Sequence, residues 1–192
     1  TAAAAQAGNF EVVIDGSDSI WLAGRTDLVI PAANQAWPGG LLRHGGATPE
    51  EIQEAIPSFV SVMAGDVVRA LDPAVGGISF FLGFGGSVFG PGGNGAVGSS
   101  LTAFGGISSY VGPQGPLVGV FLSDAIPDST APVGLNFTPA GLGIDFASLS
   151  PSLGQVFYIG DGRSAANTFQ ESVAPTGATR LFLGIPDGFG FG

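Results

Sequence analysis

The chain has 192 residues, enough to bury a substantial core, with 45% apolar but only 10% charged residues and a formal net charge of -10. Its five basic residues are all arginines (Arg25, Arg43, Arg69, Arg163, Arg180), so the summed field repels phosphate backbones and anionic lipid, and nucleic acid is not an expected partner. The lack of Cys excludes disulfides, Cys-ligated zinc, iron–sulfur clusters and thiol nucleophiles, and a chain without Lys has no P-loop cation.

The first residues, TAAAAQAG, contain Ala5-Gln6-Ala7, the small-x-small pattern that closes a secretory signal peptide. Residues 1–8 are therefore expected to be a disordered or signal-remnant N-terminus, with residues 9–192 as one domain and the protein secreted, extracellular or at the cell surface. No apolar run reaches the ~18 residues of a membrane span.

Residues 10–30, FEVVIDGSDSIWLAGRTDLVI, alternate short β-favouring runs with Asp-Gly and Ala-Gly breaks, which predicts two or three strands. Pro31 to Gly46 reads as loop by its Pro-Gly and Gly-Gly punctuation. In ATPEEIQEAIP, Thr48 can cap, Pro49 suits a first helical position and Glu51 completes a capping box. One short helix is expected near 49–56, stopped by Pro57.

SFVSVMAGDVVRAL predicts a hairpin-like pair, Phe59 to Met63 and Val67 to Leu71, turning at Ala64-Gly65-Asp66. From Gly76 to Gly106, aromatic and aliphatic residues alternate with glycines, register is poorly specified and part of the stretch is expected to be a long loop. Pro116 to Leu122 predicts a buried strand with Gly119 at a close approach, and GLNFT, QVFYI and TRLFLGI predict further strands. About ten short strands and one short helix favour an all-β antiparallel sandwich of jelly-roll, galactose-binding-like type. The chain carries 34 Gly, 14 Pro and 15 Phe, hence long glycine-rich loops around a packed core.

Catalytic machinery is thin. His44, the single histidine, lies in a glycine-rich loop with no nucleophile elbow to complete a triad. Carboxylate spacing fixes no acid/base pair, so the expectation is a non-enzyme. Calcium suits the Asp-beside-Gly clusters better than any transition metal. Asp15-Gly16-Ser17-Asp18 and Asp161-Gly162-Arg163-Ser164 read first as turns. Asp187, in Pro186-Asp187-Gly188, is the third such position.

The order AGDVVRAL, FGPGG, GISSYVGPQGPLVGVFL, QVFYIGDG, APTGATRLFLGIPDGFGFG resembles LecA-like galactophilic lectin domains, especially those of secreted bacterial PEP-CTERM (exosortase-sorted) proteins. The resemblance implies a β-sandwich in which calcium grips vicinal hydroxyls of galactose, with Asp187 and the backbone carbonyl of Phe89 as metal ligands. The remaining ligands and the last strand that it implies have no counterpart after Asp187, where the sequence reads Gly188-Phe189-Gly190-Phe191-Gly192. Two functions are thus expected. The first is an extracellular structural protein that self-associates as a homo-oligomer or polymer by strand addition, with Phe80 to Phe89 and Phe189 to Phe191 as contact segments. The alternative is a calcium-dependent carbohydrate-binding module.

Overall fold

The computed structural model describes residues 8–32, 53–71, 76–79 and 88–186. Among them, ten strands form three sheets, with one turn of 3-10 helix, η1 (Ile20–Leu22). In chain order the strands are β1 (Phe59–Ser61), β2 (Val67–Val68), β3 (Asn94–Leu101), β4 (Tyr110–Gln114), β5 (Val118–Leu122), β6 (Leu135–Asn136), β7 (Ser148–Leu149), β8 (Val156–Tyr158), β9 (Glu171–Val173) and β10 (Arg180–Gly184). The fold is an all-β sandwich. A four-stranded sheet runs β1-β10-β5-β8, and the two three-stranded sheets run β2-β9-β7 and β3-β4-β6. Pairing is antiparallel except for β4 with β6 and β7 with β9, which are parallel.

The centre is β5. All five of its residues are buried, as expected for a strand flanked by partners and covered on both faces. Phe121 stacks on Phe157 of β8 at 5.0 Å between ring centres, and η1 lies against β5 and β10. Beyond β8, the rings of Phe137, Phe146 and Tyr158 pack on one another, and Tyr110 stacks on Phe137. Each fully buried Phe or Leu in this cluster contributes roughly 1.5–3 kcal/mol of transfer free energy. That is the main force holding the three sheets together.

The first third of the chain departs from expectation. None of residues 10–30 is a strand. Ile20-Trp21-Leu22 forms η1, because Leu22 N–H donates to Ser19 O at 3.0 Å and Ala23 N–H to Ile20 O at 3.2 Å, closing a tight turn against Ile185 at the end of β10. Trp21 is buried there and its Nε1–H donates to Ser108 O at 3.0 Å, satisfying the one polar group of the ring.

The helix expected near 49–56 falls in part outside the described residues. Its described portion, Gln53 to Ile56, is not helical. Ala55 N–H donates to Ser17 O at 2.8 Å and bridges Asp18 in parallel, so tertiary pairing overrides the capping pattern there. The turn at Ala64-Gly65 exists, but the flanking segments do not pair with each other. β1 pairs with β10 and β2 with β9, which carries the two arms to different sheets.

Candidate functional site

The longest strand among the described residues is β3, and it stands at the edge of its sheet. The chain enters it through a turn at Pro91-Gly92 that ends on Gly93, whose φ of 73° suits glycine and where a Cβ would come 2.5 Å from Gln114 O. Asn94 then pairs with Gln114, the register slips over Gly95 to Val97, and Gly98 to Leu101 run regularly against Pro113 to Tyr110. The partner strand is anchored. Tyr110 is fully buried, and its hydroxyl donates to Pro113 O at 3.1 Å over Gly112, where any Cβ would strike the phenol.

β3 is therefore an outer strand held firmly on one side. Among the described residues no strand pairs with its other side. NGAVGSSL contains no charge and no proline, and Val97 keeps 47% of its surface exposed. The usual devices that blunt an outer strand, lysines, prolines or short length, are missing, although the slip at Gly95 to Val97 bends its first half.

Elsewhere a concavity of about 380 Å³ is lined by Gly24, Thr26, Ile56, Ser58, Phe59 and Arg180, among others. Phe59 is half-exposed and its ring lies 5.1 Å from that of buried Phe182. The Arg180 guanidinium sits 5.1 Å from the Phe182 ring centre and 5.7 Å from that of Phe59. It is fixed by hydrogen bonds from Nε to Ser123 O at 3.1 Å and from Nη2 to Ser123 O and Ala125 O. Asp124 stands 3.9 Å from Nε and is highly exposed, so water screens that pair.

Asp187 and His44 lie outside the described residues, as do residues 1–7, Phe80 to Ser87 and Phe189 to Phe191. Phe89 is described. It bridges Ile78, with its carbonyl accepting Ile78 N–H and its N–H donating to Ile78 O, both at 2.9 Å. The Asp15 to Asp18 segment is a self-closed turn: Asp18 N–H donates to Asp15 O at 3.0 Å and Asp18 Oδ2 accepts Asp15 N–H at 2.9 Å. Burial holds the Asp18 carboxyl above its ordinary range, partly opposed by that hydrogen bond. Asp161 accepts Arg163 N–H at 3.0 Å and opens a loop closed by the Arg163–Phe169 bridge, again a turn. Among the described residues no three His, Asp or Glu side chains gather as a metal site would require.

The other arginines among the described residues, Arg25, Arg69 and Arg163, are in structural use. Arg25 forms a two-pronged pair with Asp27, both contacts 2.9 Å, and this bond holds the Asp27 carboxyl below its ordinary range. Arg163 and Arg69 flank the Phe169 ring at 3.6 and 5.6 Å. No helix among the described residues is long and apolar enough to cross a membrane. Comparison with protein-family models, with curated proteins and with solved structures finds no match.

Proposed function

We propose that this chain is a secreted, non-enzymatic structural protein that self-associates by strand addition into a layer, matrix or filament outside the cell. The observation that carries this reading is the outer side of β3, an eight-residue strand with neither charge nor proline and with one row of backbone groups unpaired by any described strand. The small share of charged residues, 10%, and the abundance of glycine favour the same use. Light scattering across a concentration series tests it. Oligomers should grow with concentration, and Val97→Lys with Ser100→Lys, both at exposed positions, should hold the chain as a monomer without changing its melting temperature. A wild-type chain that stays monodisperse at high concentration would sink the proposal.

A second reading, binding of carbohydrate, is favoured by the groove at Phe59, where a half-exposed ring, a fixed guanidinium and the hydroxyls of Thr26 and Ser58 surround a space of sugar size. In that reading calcium is held by Asp187 and the Phe89 carbonyl. Isothermal titration with galactose, with and without excess calcium, addresses both parts. Heat that is lost in Phe59→Ala supports the groove, and no heat under either condition removes the reading.

A further inference from the structure

Residues Phe10 to Ile14 read FEVVI, strongly β-favouring, yet they pair with no described strand and donate or accept no backbone hydrogen bond there. From Glu11 to Asp15 exposure alternates: Val12 and Ile14 are partly covered and Val13 is 79% exposed, while Phe10 ahead of them is 66% exposed. In an extended chain Phe10, Val12 and Ile14 fall on one face, with Glu11, Val13 and Asp15 on the other. The segment has the composition of a strand but no partner among the described residues.

We infer that Phe10 to Ile14 of one copy is the strand that adds to the outer side of β3 in a second copy. This rests on the proposed self-association and names its two complementary parts. Length selects the acceptor. Five donor residues span about 17 Å at strand spacing, which fits along the eight residues of β3, of which Gly98 to Leu101 run regularly, but overruns the two or three residues of each other outer strand described, β1, β2, β6, β7 and β8. Chemistry agrees: β3 has no charge to strand opposite Glu11, and partly covered Leu101 packs on the core from the face that an apolar Phe10, Val12, Ile14 row would extend. Donor and acceptor are different surfaces, so the contact is head-to-tail, giving a ring where the rotation from copy to copy closes and an open filament where it does not. Each copy added to an open end presents a fresh β3, so growth continues until a ring closes.

The test uses two full-length variants. In the donor-blocked chain, Val12→Pro and Ile14→Pro remove two N–H groups that no backbone hydrogen bond among the described residues uses. In the acceptor-blocked chain, Val97→Lys and Ser100→Lys charge the outer side of β3. Circular dichroism and melting temperature verify that both fold. Each variant alone should be monomeric by sedimentation, and an equimolar mixture should give a one-to-one complex that grows no further, because the intact donor of one meets the intact β3 of the other. If the donor-blocked chain polymerises like wild type while the acceptor-blocked chain does not, the donor assignment is overturned and the role of β3 survives. If both variants lose assembly but their mixture stays monomeric, head-to-tail exchange is overturned. A wild type that never assembles, its FEVVI amides protected from exchange independently of concentration, means the segment folds onto its own chain and overturns this inference together with the proposed function.

Discussion

Placing a single methyl group at Gly119 probes the centre of the fold. This glycine lies in β5, opposite Leu183 of β10 and Phe157 of β8. A Cβ there would come 2.7 Å from Phe157 Cζ, 3.0 Å from Ile159 Cδ1 and 3.1 Å from Leu181 Cδ1. The ring cannot swing freely, because Phe157 is fully buried and stacked on Phe121. Overpacking of this kind costs about 1–3 kcal/mol, and the smaller entropy of the unfolded alanine chain offsets about 0.5–1 kcal/mol of it. Gly119→Ala should therefore be less stable by up to about 2.5 kcal/mol, a fall of up to roughly 10 °C in melting temperature for a chain of this size. The control is Gly95→Ala in β3, where nothing lies within 4 Å of the added carbon; it should be neutral or stabilising by up to about 1 kcal/mol. Urea titration with an unchanged slope, alongside thermal melting, measures both. Equal stabilities for the two alanine variants would refute the reasoning, since only the surroundings distinguish them.

Ser108→Ala removes the hydroxyl that accepts Val156 N–H at 2.9 Å in a buried setting; an orphaned buried donor costs about 1–3 kcal/mol, and Ser108→Thr, which restores an acceptor oxygen, should recover part of it in the same urea titration. Asp18→Asn keeps an acceptor for Asp15 N–H but removes a carboxylate whose pKa burial has raised. The penalty for ionising Asp18 is absent below the ordinary value of 3.8, sets in as pH rises through it and is complete above the raised value, so the variant should gain stability over wild type at neutral pH and lose that advantage in acid. Both tyrosines of the chain are deeply placed: burial pushes Tyr158 up to about 12 and Tyr110 higher still. Tyrosinate absorbance should therefore stay absent as pH passes 10.0 and appear with unfolding, because stability falls once the unfolded chain ionises more readily than the folded one.

The middle and end of the chain were legible because their strands are apolar runs bounded by turn residues. PLVGVFL, QVFYI and TRLFLGI become β5, β8 and β10, the strands that cross the core, and Gly119 sits at the close approach its position suggested, although side chains rather than backbone press on it. The N-terminal third misled for a shared reason. IWL, FEVVI and QEAI each follow a local preference, but η1 is bent by its docking on Ile185, Ala55 is claimed by Ser17, and FEVVI finds no partner among the described residues. Local preference proposes and long-range pairing decides. β3 was hidden for the opposite reason: NGAVGSSL has almost no apolar signal, and its neighbour YVGPQ carries the anchoring Tyr110 instead. Its one clue was negative, an eight-residue stretch without charge between two turns. The Phe59–Arg180 groove was equally unannounced, since it joins residues 121 positions apart whose meeting depends on β1 pairing with β10.

Charge predicts how the proposed assembly responds to its surroundings. Each copy carries -10, yet the donor segment holds only Glu11 and β3 holds no charge, so the contact itself is nearly neutral while the copies repel at a distance. That repulsion acts over about 30 Å at 0.01 M salt and about 8 Å at physiological ionic strength. Association should therefore strengthen as salt is added, and again as pH falls toward the isoelectric point near 4.1, where the net charge vanishes. A contact made of ion pairs behaves in the opposite way, weakening with salt. Sedimentation of the wild-type chain across a salt series separates the two: polymers that dissolve on adding salt would mean that charged groups carry the interface, and the uncharged side of β3 would then be the wrong surface.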